Sequence, residues 1–475
     1  MNWIINQTQQ NDPISQPVFM VQNTIFVYCK LLDSDLIKNF NRNDIFNIVA
    51  PFIESVEDNQ LIDLPNLRYA YFPKVKVLKE SALSHCYGLF EIFGDNIQVL
   101  MPCALQYCFS LSKINLQNLE TLNGLFGGFS LHIVCLKNLK KLFRFDQHSG
   151  LFYLDCQNLQ QDEDTALDNM ETIHLIRSNK MIKTNHKVFV SPDSCSPLIQ
   201  QNNVANDFPT IEELHNVREY AINQYYKLKS KYSIKTKSEQ NFIELTKTGA
   251  LISTLPTIQT QLLKLKNLRG LVLSQATTIN ASQFADFGCL IFVEGPKIAK
   301  IGVKGFYFCR SLRSVGCRKL KIVEDDAFFG CVSLTHITLN EVEMLGERCL
   351  GCCQSLVECE VGCKELKGSI FERDLALKLV KAPRAKKIFM EAFSQCDVLN
   401  VVADLNACEE LVDDPKFVLN QKCRFQEVLC YKFEERKSFV KSIKKQNNKC
   451  KLILAIKLYQ TQVQRSRFKF ELLNE

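Results

Sequence analysis

Cysteines crowd one short stretch of the chain, and thiols are the side chains here most suited to metal chemistry. The members of this group are Cys349, Cys352, Cys353, Cys359 and Cys363. Thiolates in such numbers can hold Zn²⁺ tetrahedrally. However, Cys353 falls 22 residues after Cys331, and Cys349 falls 22 residues after Ala327. Because these positions follow a repeat, we expect core and turn residues there and predict no metal site.

Other patterns for catalysis are missing from the sequence. It has no Gly-rich phosphate loop, no dinucleotide fingerprint and no Gly-x-Ser-x-Gly elbow. The adjacent acids Asp325 and Asp326 have no second acid that the sequence places opposite them. The spacing of residues 161–260 also supports no hydrolase site. The sequence therefore predicts a protein that is not an enzyme, with no catalytic residue, no cofactor and no small-molecule substrate.

A repeat of about 22 residues organises the second half of the chain. Leucines recur at steps of 22, 22, 22, 21 and 22, at Leu290, Leu312, Leu334, Leu356, Leu377 and Leu399. Cysteines keep the same register at Cys309, Cys331, Cys353 and Cys396. Near-equal steps of this length are typical of a solenoid in which each repeat stacks on its neighbours.

An earlier, less regular array carries the same pattern. Ala82-Leu83 and Cys86 recur 22 residues later, and Leu131 and Leu151 then follow at steps of 20. The pattern Leu-x-Asn-Leu-Arg opens both arrays, at 64–68 and at 265–269. We therefore predict two tandem arrays.

Each unit contains a short alternating stretch, as in Leu334-Thr-His336-Ile337-Thr-Leu339. Alternation places Ile337 and Leu339 on one face and His336 on the other. So short a strand is stable only when it stacks in parallel on its neighbours. The predicted fold is an α/β solenoid of two tandem arrays with a parallel β ladder, a helical insert and a basic C-terminal segment.

The segment Val323–Leu339 follows the pattern Ile-x-x-x-Ala-Phe-x-x-Cys-x-x-Leu-x-x-Ile, with Val at its first position. This pattern resembles the BspA-like (treponemal-type) leucine-rich repeat, over residues 279–405 and less closely over 77–160. Cys349 replaces the Ala of the pattern, and the unit at Ile370–Leu377 lacks Ala-Phe-x-x-Cys. The resemblance implies a surface for interaction, as in adhesins, and not a catalyst.

Five segments are predicted: a cap at 1–60, the first array at 61–160, an insert at 161–260, the second array at 261–415 and a basic tail at 416–475. In the insert, Thr210 and Glu213 form a capping-box pattern. An apolar stripe follows at Leu214, Val217, Ala221, Tyr225 and Leu228. The stripe packs either on the solenoid or on a partner.

Residues 431–475 hold twelve Lys or Arg against four Asp or Glu. This excess of positive charge suits either a solvated cap or a docking patch for an acidic partner.

The predicted function is a protein–protein interaction scaffold that binds a macromolecule through the concave face of the solenoid. Ladder positions that face away from the core should form this face, at Phe90, Phe152, Tyr153, Phe292, Arg313, His336, Glu358 and Lys378. The alternatives are that residues 161–260 cover these positions, or that the register is shifted by one residue.

The predicted partner is a protein, and nucleic acid is not favoured because no recognition motif accompanies the basic tail. No signal peptide and no apolar run of the ~18 residues that span a bilayer are visible. The expected location is the cytoplasm. The alternative is a secreted or cell-surface, adhesin-like protein that binds an extracellular ligand.

Overall fold

The computed structural model describes the greater part of the two arrays and the helices between them. The described residues are 18–21, 23–30, 32, 37–122, 131–142, 150–162, 173, 175–178, 189–190, 210–235, 241–258, 265, 267–396, 399–403, 410–411 and 417–419. The chain divides into two units, 1–422 and 423–475. The second unit, and with it nearly all of the predicted basic tail, lies outside the described residues.

Most coils contribute one strand to a main, largely parallel ladder. In the first array these strands are Val18–Val21, Thr24–Val27, Asn47–Val49, Tyr69–Tyr71, Glu91–Phe93 and Lys113–Ile114, then Ile133–Cys135, Tyr153–Cys156, Leu175–Ser178 and Phe189–Val190. In the second array they are Ile243–Leu245, Ala250–Ser253, Gly270–Leu273, Phe292–Glu294, Ser314–Gly316 and His336–Ile337, then Glu358–Glu360, Leu379–Ala382, Leu399–Ala403 and Phe417–Leu419.

A second ladder of two-residue strands closes the other side of each coil. In the first array its strands are Ser55–Val56, Val77–Leu78, Val99–Leu100, Thr121–Leu122, Lys141–Leu142 and Gln161–Asp162. In the second array they are Thr278–Ile279, Lys300–Ile301, Ile322–Val323, Met344–Leu345, Glu365–Leu366, Lys387–Ile388 and Glu410–Leu411.

The predicted solenoid and the predicted inner face are confirmed. Ile337 is 7% exposed and contributes to the core, whereas its neighbour His336 faces solvent. The anchor leucines are fully buried at Leu290, Leu312, Leu334, Leu356 and Leu377. Each coil therefore covers the apolar face of the next, as stacking at about 4.7–4.9 Å requires.

Each array starts with an antiparallel pair of strands. Val18–Val21 pairs antiparallel with Thr24–Val27, and Ile243–Leu245 pairs antiparallel with Ala250–Ser253. The ladder is parallel from these pairs onward. The strands Thr24–Val27 and Asn47–Val49, which lie in the segment that the sequence assigned to an N-terminal cap, belong to the ladder. The antiparallel strand itself closes the end of the sheet.

In most of the described coils tight turns carry the chain back between the two ladders, and in one coil the short 3-10 helix Met390–Phe393 does so. Non-glycine residues with φ near +60° recur there from coil to coil, for example His85, Tyr107, Phe308 and Cys352. The left-handed backbone at these positions reverses the chain within a few residues.

Two helices of the insert are described, α1 (Ile211–His215) and α2 (Val217–Lys235). Thr210 and Glu213 form the predicted capping box at the start of α1. The apolar stripe faces the second array: Val217, Ala221 and Leu228 are buried in one cluster with strand residues of that array.

Candidate functional site

Helices α1 and α2 lie on the ladder face where the sequence placed an open binding column. Phe292 is fully buried beneath α2, in one cluster with Val217 and Ala221. Phe152 and Tyr153 are 1% and 2% exposed and pack with Leu214 of α1. The prediction of an exposed binding site is therefore corrected at these three aromatic positions. The reason is that the amphipathic insert buries its own stripe against them.

The other five predicted residues lie in different environments. Arg313 stacks over the ring of Phe90, with 4.8 Å between the guanidinium carbon and the ring centre. His336 is exposed, Lys378 is half-buried, and Glu358 forms an ion pair with Lys381. The structure brings Phe90 and Arg313 together and does not combine the five into one column.

The two arrays contact each other along a seam that the sequence did not reveal. Among the described residues, four hydrogen bonds cross it: Ser110 Oγ with Ser355 Oγ at 2.5 Å, Arg68 Nη2 with the Ser355 carbonyl at 3.4 Å, Ser333 Oγ with the Phe109 carbonyl at 3.0 Å, and Cys289 Sγ with the Gly150 carbonyl at 3.3 Å. Late residues of the first array meet early residues of the second. The arrays therefore run antiparallel to each other.

Small residues occupy the position before most of the anchor leucines, which is where the seam forms. They include Gly88, Ser110 and Gly150 in the first array and Cys289, Ser311, Ser333, Ser355 and Ala376 in the second. A Cβ atom added to Gly150 would lie 3.1 Å from the Gly288 carbonyl oxygen and 3.3 Å from Ser311 Oγ. These distances are tighter than ordinary contacts, so a side chain at this position would require the opposite array to shift by a few tenths of an ångström.

Cations are buried at the residue that follows the anchor leucine. Arg269 is 1% exposed, donates to the carbonyls of Thr248 and Leu214, and lies 4.9 Å from the Phe152 ring. Burial lowers the pKa of Arg269 to about 9 and that of Arg313 to about 10. Burial disfavours the charged form of a guanidinium group, which is the main cause of both shifts.

An aromatic row crosses the outward face of the first array. We use this name for Phe19, Phe26, Val49, Tyr71 and Phe93, which pair in register on five consecutive strands. Their four rings are partly exposed, and the rings of Phe19 and Phe26 stack at 5.4 Å. Alternate residues of the same strands, such as Ile48 and Ala70, are fully buried in the core. The row therefore presents apolar area to solvent, although its strands are firmly anchored.

Comparison with known families identifies the repeat in the second array. Residues 277–400 match the model of the BspA type leucine-rich repeat region, in six copies. The second array contains a BspA-type leucine-rich repeat region. The first array repeats one detail of this BspA-type region: Cys108 Sγ donates to a carbonyl 25 residues back, as Cys331 Sγ does.

The chain is also similar to bacterial repeat proteins of known structure, while no curated protein sequence matches it. A leucine-rich repeat protein of Eubacterium ventriosum is 12% identical, with 79% of this chain and 90% of that chain covered and a TM-score of 0.26. A leucine-rich cell surface protein of Faecalibacterium prausnitzii is 12% identical, covering 82% and 94%, with a TM-score of 0.22. The pneumococcal vaccine antigen PcpA is 13% identical, covering 76% and 75%, with a TM-score of 0.28.

The cysteines of the BspA-type region are arranged for packing. Cys349, Cys353 and Cys359 are buried in the core, and burial raises the pKa of each thiol. Within the part of the chain that the structure describes, no three His, Cys, Asp or Glu residues are grouped so that they could hold a metal ion. None of the described helices is long and apolar enough to cross a membrane.

Sequence reasoning missed the aromatic row, although a signal for it was present. Tyr69-Ala70-Tyr71 and Glu91-Ile92-Phe93 alternate, and their middle residues lie 22 apart. That register assigns Tyr71 and Phe93 to the outward face. The sequence signal for the seam is weaker. It consists of the small residues before the anchor leucines, and this pattern does not indicate which surface they contact.

Proposed function

We propose that this protein is a binding scaffold for another protein, and that the aromatic row is its main docking surface. The observation that carries the proposal is the placement of four partly exposed rings on adjacent strands of one rigid sheet. Aromatic side chains dominate binding energy at protein interfaces because they bury large areas with little loss of side-chain freedom. The row carries no charge of its own, which favours an apolar partner surface over a phosphate backbone.

The second array supports an amphipathic helix as the form of the partner segment. Its equivalent ladder face, which includes Ile252, Val272 and Phe292, packs with helix α2 of the same chain. An ion pair between Arg218 and Glu294 borders that contact. A face that accepts a helix in one array is a reasonable model for the partner of the other.

The experiment compares a variant of the row with a matched control. Tyr71→Ser combined with Phe93→Ser removes two rings from the row, whereas Tyr226→Ser removes a ring that is 63% exposed on α2. Proteins captured by the wild type are identified and purified, and their affinities are measured directly. We expect the double variant to weaken binding about 30-fold or more, which corresponds to about 2 kcal/mol. Equal affinity of the double variant, or the lack of any direct binder, would refute the proposal.

We further propose that the protein works in a reducing compartment such as the cytoplasm. Support comes from the thiols of Cys309, Cys331 and Cys353, each of which donates its hydrogen to a carbonyl of the coil before. Only the reduced form can make this bond. The rival proposal is a secreted or cell-surface protein. Thiol counting after alkylation in intact cells, together with sequencing of the mature N-terminus, distinguishes the two: oxidised thiols or a cleaved N-terminus would support the surface.

A further inference from the structure

Positive charge gathers in the seam at the point where the first array ends and the second begins. His132 is 4% exposed, and the groups that act on its ring are Arg269 and Arg313 of the second array and His215 of α1. These groups are cations or can become cations. Cys289 lies close by, since its thiol bonds to the Gly150 carbonyl.

The donors in this cluster are poorly satisfied. Neither ring nitrogen of His132 and neither Nε nor Nη2 of Arg313 has a hydrogen-bond partner within the part of the chain that the structure describes. The Gly150 carbonyl lies beside the imidazole without meeting the geometry of a full hydrogen bond. A buried donor without a partner costs free energy that it regains in water. The closed seam is thus opposed by its own polar groups.

We propose that the seam is a reversible contact, and that it separates in mild acid when His132 takes up a proton. The contacts that hold it include a few hydrogen bonds, two stacked Arg–Phe pairs, Arg313 with Phe90 and Arg269 with Phe152, and the apolar packing of α1 on the first array. A positive charge on buried His132, whose ring nitrogens have no hydrogen-bond partner among the described residues, would be repelled by both guanidinium groups and would oppose these contacts.

The sign of the pH effect follows from the geometry. Burial, and then the charges of Arg269 and Arg313, hold the pKa of His132 well below its ordinary value. Once the arrays separate, the imidazole returns to water and its pKa rises towards that value. The closed form is therefore stable above about pH 6.5 and loses stability as the pH falls below it.

Separation would change what the molecule can bind. Phe90 stacks on Arg313 in the closed form, and Phe152 stacks on Arg269. Opening would uncover Phe90 on the first array, whereas Phe152 also packs with Leu214 of α1. The device does not require docking at the aromatic row, although Tyr69, on a strand of that row, contacts Phe90.

Small-angle scattering tests the proposal on the full chain at pH 7.5 and pH 5.0. We expect the radius of gyration of the wild type to rise at pH 5.0 while its far-ultraviolet circular dichroism is retained. His132→Gln, which stays neutral, should remain compact at both values. The matched control His336→Gln replaces an exposed histidine and should expand like the wild type.

A disulfide across the seam provides a second test, which does not depend on whether His132→Gln folds. The hydroxyls of Ser110 and Ser355 touch across the seam, so Ser110→Cys with Ser355→Cys should allow a disulfide there. The oxidised form should stay compact at pH 5.0, and reduction should restore the expansion. The proposal would be overturned if the radius of gyration of the wild type did not change. It would also be overturned if His132→Gln or the oxidised disulfide variant expanded as much as the wild type, or if expansion occurred only with loss of circular dichroism.

Discussion

A cysteine recurs at one position of the coil because its thiol has two uses there. The side chain is small enough for a crowded turn, and its hydrogen reaches a carbonyl of an earlier coil that in most cases also accepts a backbone N–H, as the Phe306 carbonyl does from Cys309. Cys309, Cys331, Cys353 and Cys396 each donate to a carbonyl 25 residues back, at 3.0 to 3.5 Å. In these four coils the thiol thus gives a buried carbonyl a further donor while it occupies little volume.

Replacement of one such thiol should cost stability. Cys331→Ala leaves a small void and removes one of the two donors to the Phe306 carbonyl, which keeps the Cys309 amide, so we expect a loss of about 1–2 kcal/mol in the free energy of unfolding. Urea denaturation measures the loss. Cys352→Ala removes a half-exposed thiol of the same coil and should change stability little. Equal effects of both substitutions would contradict this role of the buried thiol.

Asp374 takes the place of the cysteine in its own coil, 21 residues after Cys353 and 22 before Cys396. Its Oδ1 accepts a hydrogen bond from the Cys353 amide at 2.6 Å, and burial raises its pKa well above the ordinary value. A carboxyl with a raised pKa stabilises the fold in acid and loses that contribution as the pH rises through the shifted pKa.

Asp374→Asn should therefore remove part of the pH dependence. The amide keeps an acceptor for Cys353 and stays neutral. We expect a variant that is more stable than the wild type at pH 8, with a difference that shrinks towards pH 4. Thermal unfolding across this range measures it. The control Asp286→Asn changes an exposed acid and should follow the wild type; an advantage for Asp374→Asn that is independent of pH would exclude titration as the cause.

At the scale of the residue, the sequence predicted the positions whose surroundings are set by the repeating coil alone. Anchor leucines and buried cysteines follow from spacing, since their surroundings repeat every 22 residues. Asp374 escaped notice because its chemistry departs from that of the position it occupies. Phe152, Tyr153 and Phe292 were misplaced for another reason. Their outward orientation was predicted, but residues distant in sequence cover them.

Helix α2 shows the same division at the scale of the element. Its start and its apolar stripe were predictable from the capping box and from spacing. The surface that the helix covers could not be predicted, because an apolar stripe can pack equally well on the array or on another protein. The structure decides for the array: Ala221 is fully buried against it, while Tyr226 on the other side of the helix is 63% exposed.

A charge on the buried side of α2 should release the helix. Ala221→Asp places a carboxylate among Ile252, Val272 and Phe292, at a cost of about 2 kcal/mol or more. Hydrogen exchange should show lost protection over residues 217–230 and over the strand Gly270–Leu273. Tyr226→Asp adds the same charge to the exposed side and should leave protection intact. Loss of protection in both variants would mean that charge on the helix, not its docking, is responsible.

For the whole molecule, stability is shared between neighbouring coils. Leu334 is fully buried between the coils that contribute Leu312 and Leu356. Leu334→Asp should cost about 3–5 kcal/mol and expose adjacent coils as well as its own. Hydrogen exchange, resolved by residue, should show this spread, and unfolding of the second array should become less cooperative.

The adjacent position provides the control for this prediction. Thr335 follows Leu334 and is exposed, so Thr335→Asp should leave exchange in the neighbouring coils unchanged. If Leu334→Asp affected only its own coil, the coils would be independent units. The antiparallel contact between the arrays could not be predicted at this scale. Small residues are compatible with a close contact, but the spacing of residues in the sequence does not indicate which surface lies opposite them.

The seam also limits how such a chain can change in length during evolution. Ser110 meets Ser355, and Gly150 meets Cys289. A coil duplicated between residues 289 and 355 would therefore shift one set of contacts by a coil's width, about 4.8 Å, relative to the other. Compensation would require a matching duplication in the first array between residues 110 and 150. We expect homologues to gain or lose coils in pairs within this span, and singly only beyond it.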